Sequence, residues 1–355
     1  MQEIFLKRRD KVREKVRQQD LDGYLVLHPS NRYYLSGFEL HDPQCNESAG
    51  CVLIGRDGED YLCTDPRYQQ EGQQLWDEDY LFVYKENRVA QLADFFSKKG
   101  YSTLGFETRI MSHEMYAHLD ENLDLRPYKG LVEDLRVLKD EFEIECLQRS
   151  CSLNHEVFSF CTERFHPDLT ENDLAWGIEK YFRENGASEL AFTPIVAFGS
   201  HAALPHYLPG ETILGTETPV LIDIGGRFLD YCSDQTRTFW FGDDLPDYFS
   251  RTRDMVQEAQ QLAIKKIRPG IKINEVFNQT KEFFRGYSVD DHFIHSLGHG
   301  IGLETHEYPG LGPRNQDIFQ EGMVVTIEPG LYFPEWGGVR WEFMVVIRDD
   351  GVQIL

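Results

Sequence analysis

A chain of 355 residues with 36 Lys plus Arg against 60 Asp plus Glu carries a formal net charge of −24, which makes it a poor partner for nucleic acid or anionic lipid, because phosphates need clustered cations. Apolar residues are 41% and aromatics 13%, enough for a real core, so wholesale disorder is excluded. Mean hydropathy is −0.47, and no apolar run approaches the ~18 residues of a membrane span.

The length exceeds what one core usually reaches, roughly 250 residues, and predicts two domains. Residues 1–128 read as an α/β domain. A charged helix from about Glu3 to Gln19 comes first, and its charges stand where a secretion signal would need apolar residues. A strand follows at Gly23–Pro29, then two paired strands flanking the Asp57-Gly58 turn, then a helix over Val89–Gly100. The seven cysteines are odd in number and hold no C-x-x-C. They fit reduced thiols in a cytoplasmic protein.

Residues 129–355 read as α+β. Ile144, Leu147, Cys151, Phe158 and Cys161 follow helical spacing. A second helix opens at Thr170, with Asp173 three residues on in capping-box fashion, and has the stripe Leu174, Ile178, Phe182. A third runs from about Tyr248 to Ile267, and a fourth starts with Asn274 as cap and stops at Gly286. Five strand-like stretches lie between and after them, which predicts helices grouped against a largely antiparallel sheet.

Chemistry concentrates in this second part. Asp223 and Asp234 flank a short connection, and a hairpin turn at Phe228-Leu229 would set them directly opposite each other. Like charges facing across a ladder destabilise it, and a cation between them removes the penalty; otherwise one Asp caps a turn and the other is solvated. Four of the twelve histidines, His292, His295, His299 and His306, fall within fifteen residues. Gly298, Gly300 and Gly302 there let backbone approach closely. His292 is read as structural. Glu328 ends an apolar strand, where an unpaired carboxylate is expensive to bury. Glu342 lies in another such strand, two residues after Arg340; the alternative reading there is an Arg340–Glu342 ion pair alone. Such an oxygen-rich set with one nitrogen suits Mn²⁺ or a similar divalent ion better than a structural zinc site. Four carboxylates need two such ions for balance.

These segments resemble the pita-bread metallopeptidase family, which includes aminopeptidase P, Xaa-Pro dipeptidase (prolidase), methionine aminopeptidase and the metal-free creatinases. Asp223 and Asp234 match the family's Asp pair with its S-D-x-T-R-T run, His299 its histidine ligand, and Glu328 and Glu342 its two glutamates. The resemblance implies a pita-bread catalytic domain behind a smaller creatinase-type N-terminal domain. It also implies Asp223 on one ion, Asp234 and Glu342 bridging, and His299 with Glu328 completing the other. Manganese is expected, with cobalt, zinc or iron as alternatives. Glu328 would act as general base. His206 and His306 would stabilise the scissile carbonyl, with His295 orienting neighbouring groups. Arg314, Arg340 and Tyr332 would contact substrate. Phe343 departs from the Asp or Asn that commonly follows the second glutamate, and is expected to alter a neighbouring contact rather than the ligand.

The activity implied is hydrolysis of the Xaa-Pro bond at the N-terminus of proline-containing peptides by a homodimer. Aminopeptidase P is the main expectation and prolidase the alternative; a non-catalytic peptide-binding protein on the same fold is the distant one.

Overall fold

The computed structural model describes residues 2–44 and 47–355, and divides into two compact units, 1–136 and 137–355. Cys45 lies outside the described residues; the other six cysteines are buried free thiols.

The first unit is built on one mixed sheet. Helix α1 (Gln2–Gln18) leads into β1 (Gly23–Val26), α2 (Pro29–Ser36) and the antiparallel pair β2 (Gly50–Gly55) and β3 (Tyr61–Thr64). After α3 (Gln69–Leu75) come β4 (Leu81–Val83), α4 (Arg88–Lys98), β5 (Thr103–Glu107), α5 (His113–Asp120) and β6 (Asp124–Tyr128), with the short α6 (Glu133–Arg136) closing the unit. The strand order is β4-β3-β2-β1-β5-β6. Strands β1 to β3 are buried at every position, as apolar runs covered on both faces must be.

In the second unit α7 (Glu141–Thr162) starts where the sequence punctuates it. The Asp140 side chain accepts from the Glu143 backbone and the Glu143 side chain accepts from the Asp140 backbone, a reciprocal cap that satisfies two orphan donors. Helix α8 (Glu171–Glu184) is capped by Thr170 and buries Leu174, Ile178 and Phe182. Strands β7 (Glu189–Leu190), β8 (Ile195–Phe198), β9 (Thr218–Ile224), β10 (Gly226–Phe228), β11 (Tyr231–Cys232) and β12 (Gln235–Phe241) follow. Then come α9 (Asp247–Lys266) and α10 (Ile273–Gly286). The C-terminal strands are β13 (His299–Gly300), β14 (Glu307–Gly310), β15 (Val324–Ile327), β16 (Gly330–Phe333), β17 (Gly337–Arg340), β18 (Phe343–Arg348) and β19 (Gly351–Ile354). Every strand pairing of this unit is antiparallel among the described residues. Helices α9 and α10 contribute Phe249, Val256, Ile273 and Phe284 to a core shared with Val325, Ile327 and Val345.

Two expectations are corrected. Asn274 does not cap α10: the helix starts at Ile273 after Lys272, with no side-chain cap. Its first amides are satisfied by loop carbonyls instead, Ile273 N donating to Asp317 O at 2.9 Å and Asn274 N to Asn315 O at 3.0 Å. The hairpin turn is displaced by one residue. Leu229 and Asp230 take φ of +48° and +70°, the left-handed pair that matches strand twist in a two-residue hairpin. Asp223 therefore faces Thr236, and Asp234 lies two residues earlier, diagonal to Asp223 rather than opposite it.

Candidate metal centre

Strands and the short links at their ends supply the site. Asp223 comes from β9, Asp234 from the link between β11 and β12, His299 from β13, Glu328 from just after β15, and Glu342 from the link between β17 and β18. The structure brings all five together around one cavity of about 580 Å³. Single donor atoms of Asp223, Asp234 and Glu342 lie within 4.8 Å of one another, as do those of His299, Glu328 and Glu342, and of Asp234, His299 and His306. The His299 strand comes this near because glycines flank it. A Cβ on Gly298 would stand 1.9 Å from Thr326 O, and one on Gly300 2.3 Å from Tyr308 O, both impossible.

The electrostatics are unfavourable for the protein alone. Burial and neighbouring carboxylates push Asp234 and Glu342 well above the usual carboxylate range, and burial raises Glu328 to about 7. Asp223 Oδ1 and Glu342 Oε1 are buried with no hydrogen-bond partner. Orphaned acceptors of this kind are costly. Burial and His306 lower His299 to about 3, so its ring is neutral. Its Nδ1 lies 3.1 Å from Gly300 O. Donation there leaves the Nε2 lone pair facing Asp234 and Glu328, at 3.5 and 3.6 Å. Orphan carboxylate oxygens and an oriented imidazole nitrogen converging on one space are the donor set of a divalent cation site.

The other expected residues fall into two groups. His206, His295 and His306 line the cavity. His295 Nε2 lies 2.8 Å from the Tyr332 hydroxyl and its Nδ1 2.7 Å from Ser296 O. His292 is structural as expected, its Nδ1 2.8 Å from Tyr332 O. The three residues expected to contact substrate differ in their placement. Arg314 is exposed on the turn after β14, and Gly310 is the cavity wall in that segment. Tyr332 is only 4% exposed, with its hydroxyl engaged by His295 and by Arg340 Nη1 at 2.8 Å. Arg340 borders the cavity, but its guanidinium donates to Asp223 Oδ2 at 2.7 Å, Thr236 Oγ1 at 2.9 Å and Pro205 O at 3.3 Å. Its carboxylate partner is thus Asp223 and not Glu342, because the Thr236 hydroxyl stands between, donating to Glu342 Oε2 at 2.7 Å.

Thr236 and Thr326 are site residues that sequence reasoning missed. Thr326 Oγ1 accepts from His299 N at 3.1 Å and approaches Glu328 Oε1 at 3.4 Å. Each lies two residues from a ligand candidate, on the same strand face, and that spacing was the available signal. Phe343 follows Glu342 as the first residue of β18. Its ring and that of Trp341 pack on the Arg237 guanidinium at 4.4 and 4.7 Å, and Arg237 Nη1 donates to the carbonyls of Thr236 and Glu342.

Residues 145–349 match the model of metallopeptidase family M24, and residues 8–138 that of the creatinase/prolidase N-terminal domain. The chain belongs to metallopeptidase family M24. It is 31% identical over 342 residues to an Xaa-Pro dipeptidase of Pyrococcus furiosus, covering 95% of this chain and 94% of that one. Among solved structures, an Xaa-Pro dipeptidase from Bacillus anthracis superposes with a TM-score of 0.91 at 30% identity, over 99% and 97% of the two chains. An X-Pro aminopeptidase from Thermotoga maritima superposes with a TM-score of 0.88 at 27% identity, over 98% and 96%. The fold is thus that of the pita-bread M24 enzymes with a creatinase-type N-terminal domain, and the chain is a metallopeptidase. No helix of the described residues is long and apolar enough to cross a membrane.

Proposed function

We propose that this metallopeptidase is a dinuclear Xaa-Pro dipeptidase. The observation that carries the reading is the convergence of four buried or half-buried carboxylates and one oriented imidazole on a single cavity, with two carboxylate oxygens orphaned. The substrate class rests on the 31% identity with the Pyrococcus furiosus Xaa-Pro dipeptidase. Together with the Bacillus anthracis structure, it favours dipeptidase over the aminopeptidase P reading that the motifs first suggested.

Asp223 would hold one ion, Asp234 and Glu342 both, and His299 with Glu328 the second, with manganese the best fit to this oxygen-rich set. Divalent ions bound there supply Lewis acidity and a lowered water pKa. Glu328 takes the attacking water's proton and returns it to the proline nitrogen that leaves. His206 and His306, both on the cavity wall, hydrogen-bond the scissile carbonyl as negative charge develops on it. Arg340 keeps Asp223 in place through its 2.7 Å contact, and His295 fixes Arg340 through Tyr332. The acidic cluster attracts the substrate's free amino group. The catalytic domain would comprise residues 129–355, behind an N-terminal domain of residues 1–128, in a cytoplasmic homodimer.

Hydrolysis of Ala-Pro against Arg-Pro-Pro by the manganese-loaded protein tests the substrate length, and preference for the tripeptide would return the assignment to aminopeptidase P. Metal content of Asp234→Ala and Glu342→Ala tests the centre; full manganese occupancy and turnover in either would end the proposal.

A further inference from the structure

The wall of the cavity that carries His206 has almost no regular structure of its own. A short 3-10 turn covers Gly199–Ala203, and residues 204–210 form neither helix nor strand. Yet four consecutive residues of this segment, Pro205, His206, Tyr207 and Leu208, line the cavity. Something other than a backbone ladder must hold them, since each ordered residue costs about 1–2 kcal/mol of backbone entropy.

Arg340 holds one point of the segment, at Pro205 O; the group that holds its two ends is a carboxylate outside the metal centre. Glu171, the first residue of α8, is 0% exposed. Its Oε1 accepts from Phe198 N at 2.9 Å and lies 2.9 Å from His201 Nδ1. Its Oε2 accepts from the Tyr207 hydroxyl at 2.8 Å and from Gly210 N at 3.1 Å. One side chain thus binds both ends of the segment, at Phe198 and Gly210, and two side chains within it. The rings of His201 and Tyr207 stack against each other at 4.4 Å. Hydrogen bonds to an ionised acceptor are the strong kind, and here four share one carboxylate.

We infer that Glu171 is a positioning residue for catalysis: its carboxylate clasps the 198–210 loop and thereby sets His206 against the scissile carbonyl. The inference rests on the role proposed above for His206. Glutamine at 171 cannot reproduce the clasp. Whichever way its amide turns, a backbone N–H, of Phe198 or of Gly210, meets another donor. Both the Tyr207 hydroxyl and the His201 ring can reverse their roles; a backbone N–H cannot.

The test is steady-state hydrolysis of Ala-Pro by manganese-loaded E171Q, Y207F, H206A and the E171Q/H206A double variant. Manganese affinity by titration calorimetry and histidine ring resonances by ¹⁵N NMR are measured alongside. Displacing a reacting group by an ångström costs up to about 100-fold in rate, so kcat of E171Q should fall about 10- to 100-fold with manganese affinity unchanged. Y207F, which loses one contact of the four, should fall by about 10-fold or less and covers the case in which E171Q does not fold. In the H206A background E171Q should cost nothing further. Unchanged kcat in both E171Q and Y207F, or losses that multiply with H206A, would overturn the inference. Should H206A itself hydrolyse at the full rate, it is the reading of His206 that fails. The clasp is then decided by the His206 ring resonances, which must move in E171Q and Y207F if Glu171 positions that ring, and whose constancy would refute it.

Discussion

The first unit and the metal centre both bury carboxylates, but they treat them differently. In the first, Asp60 accepts from Arg9 at 3.0 Å, Arg13 at 2.7 Å and the Gly55 amide at 3.2 Å. Glu107 accepts from the amides of Leu27 and His28 and from Asn31 Nδ2, each at 2.6 Å. Both oxygens of each group are engaged. In the second unit Asp223, Asp234, Glu328 and Glu342 crowd one cavity, with Arg340 the one arginine or lysine lining it among the described residues. Burial raises the pKa in both places, so a raised pKa does not separate them. What separates them is satisfaction of the lone pairs. Asp60 and Glu107, with both oxygens engaged, belong to the architecture, and Asp223 and Glu342, each left with an orphan oxygen among carboxylates that converge on one cavity, mark where a cation goes.

That contrast is broken most directly by removing one carboxylate from each unit. Glu342→Ala should lower kcat on Ala-Pro by about 10,000-fold or more, since it removes the side chain proposed to hold both ions, and a bound ion supplies several kcal/mol of barrier lowering, while the metal-free protein loses no stability. Denaturant unfolding of chelated wild type and variant checks the second half. Asp60→Ala should do the reverse. It leaves Arg9 and Arg13 without their buried partner and should cost about 3–5 kcal/mol of stability, read in the same unfolding assay. A destabilised metal-free Glu342→Ala would show that the cluster is structural after all.

The sequence made the parts of this contrast unequally legible. The ligand candidates could be found because each combines a polar residue with an apolar strand or a glycine-rich link, and such residues need a reason to be there. Helices α7 and α8 could be found because their caps and stripes are local. The Asp223–Asp234 register could not, because a one-residue shift of the turn to Leu229-Asp230 moves the pairing by two. Nor could the engagement of Arg340 by Asp223, Tyr332, Thr236 and Pro205, which joins residues up to 135 positions apart. Local pattern carries no such information.

A subtler comparison uses pH. Burial raises Glu107 to about 7 from its ordinary 4.5. Below pH 4.5 it is protonated folded and unfolded alike, and it carries no penalty. Between 4.5 and 7 the unfolded chain releases the proton that the folded chain keeps, so stability falls as pH rises; above 7 the loss is complete and level. A shift of this size corresponds to about 3 kcal/mol. The stability of wild type minus that of Glu107→Gln should therefore be larger at pH 5 than at pH 8 by up to that amount, with titrations elsewhere cancelling in the subtraction. Equal differences at the two pH values would mean that its three hydrogen bonds offset the burial.

The smallest expected effect probes how the two kinds of carboxylate meet at Thr236. Its hydroxyl donates to Glu342 Oε2 and accepts from Arg340 Nε, so Glu342 has one oxygen treated as in the first unit and one orphaned. Thr236→Val keeps the β-branched shape and removes both bonds. Losing an outer partner that orients a metal ligand typically costs about 10- to 100-fold in metal affinity. The low end is expected here, because Arg237 still donates to the Glu342 carbonyl and holds the backbone. Manganese titration should show about a tenfold weaker site with the same stoichiometry. A lost ion instead would mean that the hydroxyl, more than the strand, sets where Glu342 points.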